Sequence, residues 1–117
     1  MKKILIVEDT LVFIDMIIIA IKNISNYADI IDTSTEEEAR ELLRTEKFDL
    51  IIIDGNLAPG NGENLLPDLT DEQKEVTLVY SSSVDMIKKA VEMNIRCVLK
   101  HCSRDEFDME IKKTLSR

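Results

Sequence analysis

The sequence predicts an α/β protein built as a doubly wound, five-stranded parallel sheet. Two observations carry that expectation. Short runs rich in β-branched residues alternate five times with longer stretches at helical spacing. The first and third runs, Lys3-Ile4-Leu5-Ile6-Val7 and Leu50-Ile51-Ile52-Ile53, are close to uninterrupted apolar sequence. A parallel strand covered by helices on both faces requires that composition.

Taken in order, the first strand is expected over 3–7 and the first helix over 11–23. A short strand at Ile30-Ile31 leads to a second helix over 35–46. Thr35 can cap that helix while Glu36, Glu37 and Glu38 place negative charge at the positive end of its dipole. The third strand, 50–53, precedes the Gly-rich stretch Gly55 to Gly62 and a brief helix near 63–69. A fourth strand at 76–80, a helix over 84–93, a fifth strand at 96–99 and a last helix over 103–115 complete the chain. Ser103 and Glu106 form the pattern of a capping box at the start of that helix. On the first helix, Phe13, Met16, Ile17, Ala20 and Ile21 form the expected core stripe. Leu11, Ile14 and Ile18 are left as a second apolar stripe, and contiguous exposed apolar surface marks a partner site.

At 117 residues the chain is expected to be one domain spanning 1–117, with no output domain. Its 23 acidic against 15 basic residues give a net charge of −8. A nucleic-acid backbone would be repelled, since the basic residues are not clustered. No apolar run approaches the roughly 18 to 20 residues needed to cross a bilayer. The N-terminus enters a strand pattern without the features of a signal peptide, so a cytoplasmic location is expected. Cys97 and Cys102 are then expected to be reduced.

In an open parallel sheet, ligands bind beyond the carboxyl ends of the strands, where the strand order reverses. Here the residues past those ends are Glu8-Asp9, Asp54, Ser81-Ser82 and Lys100-His101. With the flavodoxin-like strand order 2-1-3-4-5, the first and third strands are neighbours, so Glu8, Asp9 and Asp54 share one pocket. At about 5 Å and an effective dielectric near 20, each like-charged pair costs roughly 3 kcal/mol. A hard dication relieves that repulsion, and Mg²⁺ favours one or two carboxylates together with water and phosphate. Asp9 and Asp54 are assigned as direct ligands, Glu8 as a ligand through water and the backbone carbonyl of Asn56 as a further protein ligand. His101 with Cys97 and Cys102 lacks zinc-site spacing, and the Gly-rich loop lacks the Gly-Lys-Ser/Thr of a Walker motif.

The acidic pair in Ile6-Val7-Glu8-Asp9, the segment from Leu50 through Asp54 to Pro59 and Gly62, the hydroxyl at Ser81 and the amine at Lys100 together resemble the response-regulator receiver domain. The likeness covers essentially the whole chain and is to the single-domain, chemotaxis-regulator-like members of two-component phosphorelay signalling. It implies a Mg²⁺-dependent phosphoaspartate at Asp54, formed from a histidine kinase or a phosphotransfer protein. Ser81, chosen over Ser82, and Lys100 would then act on the phosphoryl group and switch the protein's shape. The partners implied are that phosphodonor, a downstream protein target and a second copy of this chain, with neither nucleic acid nor membrane insertion. The helix-one stripe Leu11, Ile14 and Ile18 is the surface expected to meet them. Such a protein is a regulatory phosphoacceptor rather than a turnover enzyme.

Three departures accompany the likeness. His101 stands where the family usually has proline, which predicts a rearranged loop and a displaced Lys100. Cys97 replaces a common aromatic, and the stretch from Ser81 to Lys100 is short, with Asn94 where glycine is usual, so a short fourth helix is expected. These changes motivate the alternative of an unphosphorylated pseudo-receiver acting as an interaction scaffold.

Overall fold

The structure, a computed structural model, describes residues 1–55, 57 and 60–116. Five strands, β1 (Lys3–Val7), β2 (Asp29–Thr33), β3 (Leu50–Ile53), β4 (Thr77–Ser81) and β5 (Arg96–Leu99), form one parallel sheet in the order β2-β1-β3-β4-β5. Helices α1 (Leu11–Ile24), α2 (Glu36–Thr45), α3 (Asp71–Glu75), α4 (Val84–Glu92) and α5 (Arg104–Leu115) connect and flank them. The doubly wound, flavodoxin-like fold follows as expected.

The period-two geometry of a strand sends alternate side chains to opposite faces, and both faces are covered. Leu5, Val7, Ile51, Ile53 and Val79 pack with Ala39 of α2 and Met86 and Ala90 of α4. Ile4, Ile6, Leu50, Ile52, Leu78 and Tyr80 pack with Ile17 and Ile21 of α1 and Phe107 and Ile111 of α5. Cys97 joins the first cluster and Cys102 the second, so the two free thiols sit on opposite sides of the sheet. Among the described residues no helix is long and apolar enough to cross a membrane.

The caps explain several boundaries. Thr35 Oγ1 accepts from the Glu38 N–H at 3.2 Å and Ser103 Oγ from the Glu106 N–H at 3.1 Å. The brief helix expected near 63–69 is present as a 3-10 helix, Gly62–Asp68, and α3 follows it as an element the sequence reading did not include. Pro67 lies within the 3-10 turn, and a full capping box starts α3. Thr70 Oγ1 accepts from Gln73 N–H at 3.1 Å, and Gln73 Oε1 accepts from Thr70 N–H at 2.9 Å. The Thr-x-x-Gln pattern was legible as a helix start. Helix α4 is nine residues long, and Asn94 just past it has φ 59°. Asparagine is one of the few side chains that tolerate the left-handed conformation that ends a helix.

The apolar stripes of α1 require correction. Ile14 is buried and Ile18 is half-buried against the core shared with α5, whereas Met16, expected in the core, is exposed. Ile17, Ala20 and Ile21 pack into that core as expected, and α1 also contacts α5. The apolar residues left in solvent are Leu11 (71% exposed), Val12 (69%), Met16 (43%) and Ile19 (52%). Val12, Met16 and Ile19 recur at the four- and three-residue steps of one helical face.

Candidate functional site

Register builds the pocket before any side-chain chemistry enters. Val7 aligns with Ile53 across β1 and β3, so Glu8 and Asp54 leave the sheet side by side at the point where strand order reverses. The ladder continues past the strand ends: Glu8 N–H donates to Thr33 O at 3.0 Å and Asp54 N–H to Val7 O at 2.9 Å. Ser81 aligns with Leu99, and Lys100 N–H donates to Ser81 O at 3.0 Å. Four groups from four different segments therefore converge with little freedom in their backbones.

Glu8 and Asp54 are both buried, while Asp9 is exposed. One carboxylate oxygen from each lies within 4.8 Å of the others. Lys100 Nζ stands 3.0 Å from Glu8 Oε1 and 3.2 Å from Asp54 Oδ2, with only a tenth of its side chain exposed. The displacement expected from His101 does not occur. The backbone bond to Ser81 and the paired carboxylates hold the lysine in place, and its ammonium rests over the Phe13 ring, 3.8 Å from the centroid.

Thr10 tightens the acidic end. Its N–H donates to Glu8 Oε2 and its hydroxyl to Asp9 Oδ1, both at 3.2 Å. Ser81 is buried, with its Oγ accepting from the Ser83 N–H at 3.0 Å, while Ser82 is exposed and Ser83 caps α4 through the Met86 N–H. Asn56, expected to supply a backbone carbonyl, lies outside the described residues.

Three carboxylates against one ammonium leave two negative charges, so a dication would balance the site. Hard carboxylate oxygens at this spacing suit Mg²⁺, which binds through few protein ligands. The residues therefore fit the ion. Burial pushes the Glu8 carboxyl up to about 7; the Lys100 hydrogen bond opposes this shift and the Asp54 charge adds to it.

The sign of the resulting pH dependence is fixed. A carboxyl at about 4.5 when unfolded and about 7 when folded destabilises the native state only when ionised. The cost is absent below about pH 4.5, grows across the window and is complete above about pH 7. In EDTA, the melting temperature is therefore expected to fall between about pH 4.5 and about pH 7 and to level off above that. Millimolar Mg²⁺ should flatten that slope and Glu8→Gln should remove most of it. A slope unchanged by Glu8→Gln would assign it elsewhere.

Of the residues the sequence singles out, the structure brings Glu8, Asp9, Asp54 and Lys100 together, with Ser81 on the adjoining strand end. The contacts of Phe13 and Thr10 with this group are not in the sequence reading, which places Phe13 in the core. Its place one helical turn after Asp9 was the available signal that it faces the same end of the sheet.

Fold and site together define a flavodoxin-like α/β protein with an acidic, lysine-bearing pocket at its topological switch point. Residues 4–112 match the sequence profile of the response regulator receiver domain, and the chain belongs to that family, the receiver domains of two-component signalling. Among solved structures, the phosphorylated cyanobacterial phytochrome response regulator RcpA is 25% identical, with TM-score 0.77 over 96% of this chain and 89% of that one. The signal receiver domain of a DNA-binding response regulator from Colwellia psychrerythraea shares 22% identity at TM-score 0.83 over the full length of both chains. The receiver domain of the sensor histidine kinase PA1611 from Pseudomonas aeruginosa, with magnesium in its active-site cleft, shares 13% at TM-score 0.77, covering 99% and 98%. No curated protein matches the chain.

Proposed function

We propose that this chain is a cytoplasmic signalling module that accepts a phosphoryl group on Asp54 from a histidine kinase or a phosphotransfer protein. It then acts on a downstream protein by a change of shape. One observation carries the reading: a buried aspartate faced at 3.2 Å by a nearly buried ammonium, inside a cluster of carboxylates that suits a dication. A phosphorylated receiver and a magnesium-bearing receiver among its structural neighbours support it.

In the proposed reaction an Asp54 carboxylate oxygen attacks phosphorus in line. An O–P bond forms as the donor's P–N bond breaks, and the electron pair leaves on the imidazole nitrogen. Lys100 neutralises charge gathering on the equatorial oxygens, which is where positioned cations lower the barrier to phosphoryl transfer. Mg²⁺ held by Asp9 and Asp54, with Glu8 behind water and Asn56 as a further ligand, would share that charge. Ser81 is the hydroxyl nearest Gly55 on the facing strand, and exchanging its bond to Ser83 N–H for one to a phosphoryl oxygen would couple the site to the start of α4. The placement of Lys100 favours this reading over the unphosphorylated scaffold, which was motivated by the altered lysine loop and the short fourth helix.

Intact mass measured after incubation with acetyl phosphate tests the reaction. A single phosphoryl adduct is expected with Mg²⁺ and none with EDTA, and BeF₃⁻ should bind under the same metal requirement. No adduct and no BeF₃⁻ binding would overturn the phosphoacceptor reading.

The phosphodonor protein must bring its phosphohistidine to Asp54, so its contact surface has to be continuous with the pocket mouth. The exposed face of α1 meets that condition, since Leu11 and Val12 follow Asp9 and Thr10 directly and Met16 and Ile19 extend the same apolar strip. Ile19→Asp is expected to slow transfer from a protein donor about tenfold or more while leaving the acetyl phosphate reaction unchanged. Equal rates from the protein donor would remove α1 from the docking surface.

A further inference from the structure

Lys100 keeps its place although histidine follows it, and the side chains around it show how. Of the chain's five aromatic residues, three form a ladder under the pocket. Tyr80 of β4 meets Phe13 edge-on at 6.1 Å and Phe107 of α5 at 4.5 Å between ring centroids. Lys100 sits on this ladder. Its Nζ is 3.8 Å from the Phe13 centroid and 5.8 Å from that of Tyr80, and its carbonyl oxygen accepts from the Tyr80 hydroxyl at 3.4 Å.

We propose that Phe13 is a positioning residue for phosphoryl transfer, its ring face holding the Lys100 ammonium beside Asp54. The inference rests on the phosphoacceptor reading for its functional consequence, though not for its geometry. A lysine side chain has four rotatable bonds and gains most entropy by swinging into water. Opposing that, the negative face of an aromatic ring attracts an ammonium, most strongly where water is excluded. The Lys100 side chain is nine-tenths buried, so the contact lies toward the strong end of that range. Glu8 and Asp54 hold the ammonium at 3.0 and 3.2 Å, and the Phe13 ring meets it at 3.8 Å from the centroid. The ring supplies a fixed surface on which the ammonium stays within reach of both. A leucine at position 13 would fill similar space without attracting the charge.

Three variants separate attraction from packing: Phe13→Leu, Phe13→Met as a near-volume replacement that keeps the core filled, and Phe13→Tyr, which retains the ring. In selectively labelled protein, with Lys100→Ala identifying the resonance, the Lys100 ε-methylene protons should show an upfield ring-current shift. That shift should be lost in the Leu and Met variants and kept in Phe13→Tyr. The rate of Mg²⁺-dependent phosphorylation by acetyl phosphate should fall about tenfold in the first two and stay within about twofold in the third. In a Lys100→Ala background, Phe13→Met should cause no further loss.

An unshifted methylene in the wild type, or a loss of rate that persists in the Lys100→Ala background, would overturn the proposal. So would Phe13→Tyr losing rate as Phe13→Met does. If the wild type takes up no phosphoryl group, the phosphoacceptor reading fails, while the ring-current shift still decides whether Phe13 holds the lysine.

Discussion

Asp54→Asn is expected to abolish the phosphoryl adduct completely while leaving the fold intact. The substitution keeps the shape of a side chain that is 2% exposed, and it replaces the anionic oxygen with an amide that cannot attack phosphorus. Neighbouring groups are poorly placed to take over. Glu8 is held between the Thr10 N–H and Lys100, and Asp9 is exposed, with one oxygen accepting from the Thr10 hydroxyl. Intact mass followed by peptide mapping checks this result. An adduct of undiminished yield in the variant, mapped to Asp9, Glu8 or Ser81, would show that Asp54 is a ligand and not the acceptor.

Gly62→Ala is expected to cost at least about 3 kcal/mol of stability or to prevent folding, the upper end of what overpacking does in well-packed interiors. A Cβ at Gly62 would lie 1.8 Å from the Asp54 carbonyl oxygen and 3.0 Å from Ile53 Cγ2. The first obstacle is backbone at the end of a central strand, and it cannot move away cheaply. The chain is drawn that close because Gly62 N–H donates to Gly55 O at 2.9 Å, closing the loop beyond Asp54. Gly55→Ala is the useful control. Its Cβ would meet the flexible Met86 sulfur at 2.8 Å, and a thioether end can shift, so a loss nearer about 1 kcal/mol is expected. Urea unfolding of both variants gives the comparison; equal and small losses would mean that the loop can relax away from Asp54.

The two results address different parts of one arrangement, since Asp54, the proposed phosphoacceptor, also has its carbonyl oxygen against Gly62.

The sequence by itself determined the sheet, because a central parallel strand must be apolar on both faces and the alternation of such runs with helical stretches leaves few topologies. It also determined which chemical groups gather, since strand ends in a doubly wound sheet point to one edge. Glu8, Asp9, Asp54, Ser81 and Lys100 were legible for that reason. Tertiary structure alone decided which face of α1 is covered. Both Ile14 and Met16 are apolar, and their spacing along the helix does not say that the folded chain buries the first and exposes the second. It alone decided where Lys100 points. The loss of proline at position 101 argued for displacement on local backbone grounds, and contacts with Glu8, Asp54 and the ring of Phe13, distant in sequence, outweigh that local preference. Local chemistry sets what each segment favours; long-range contacts select among the options that remain.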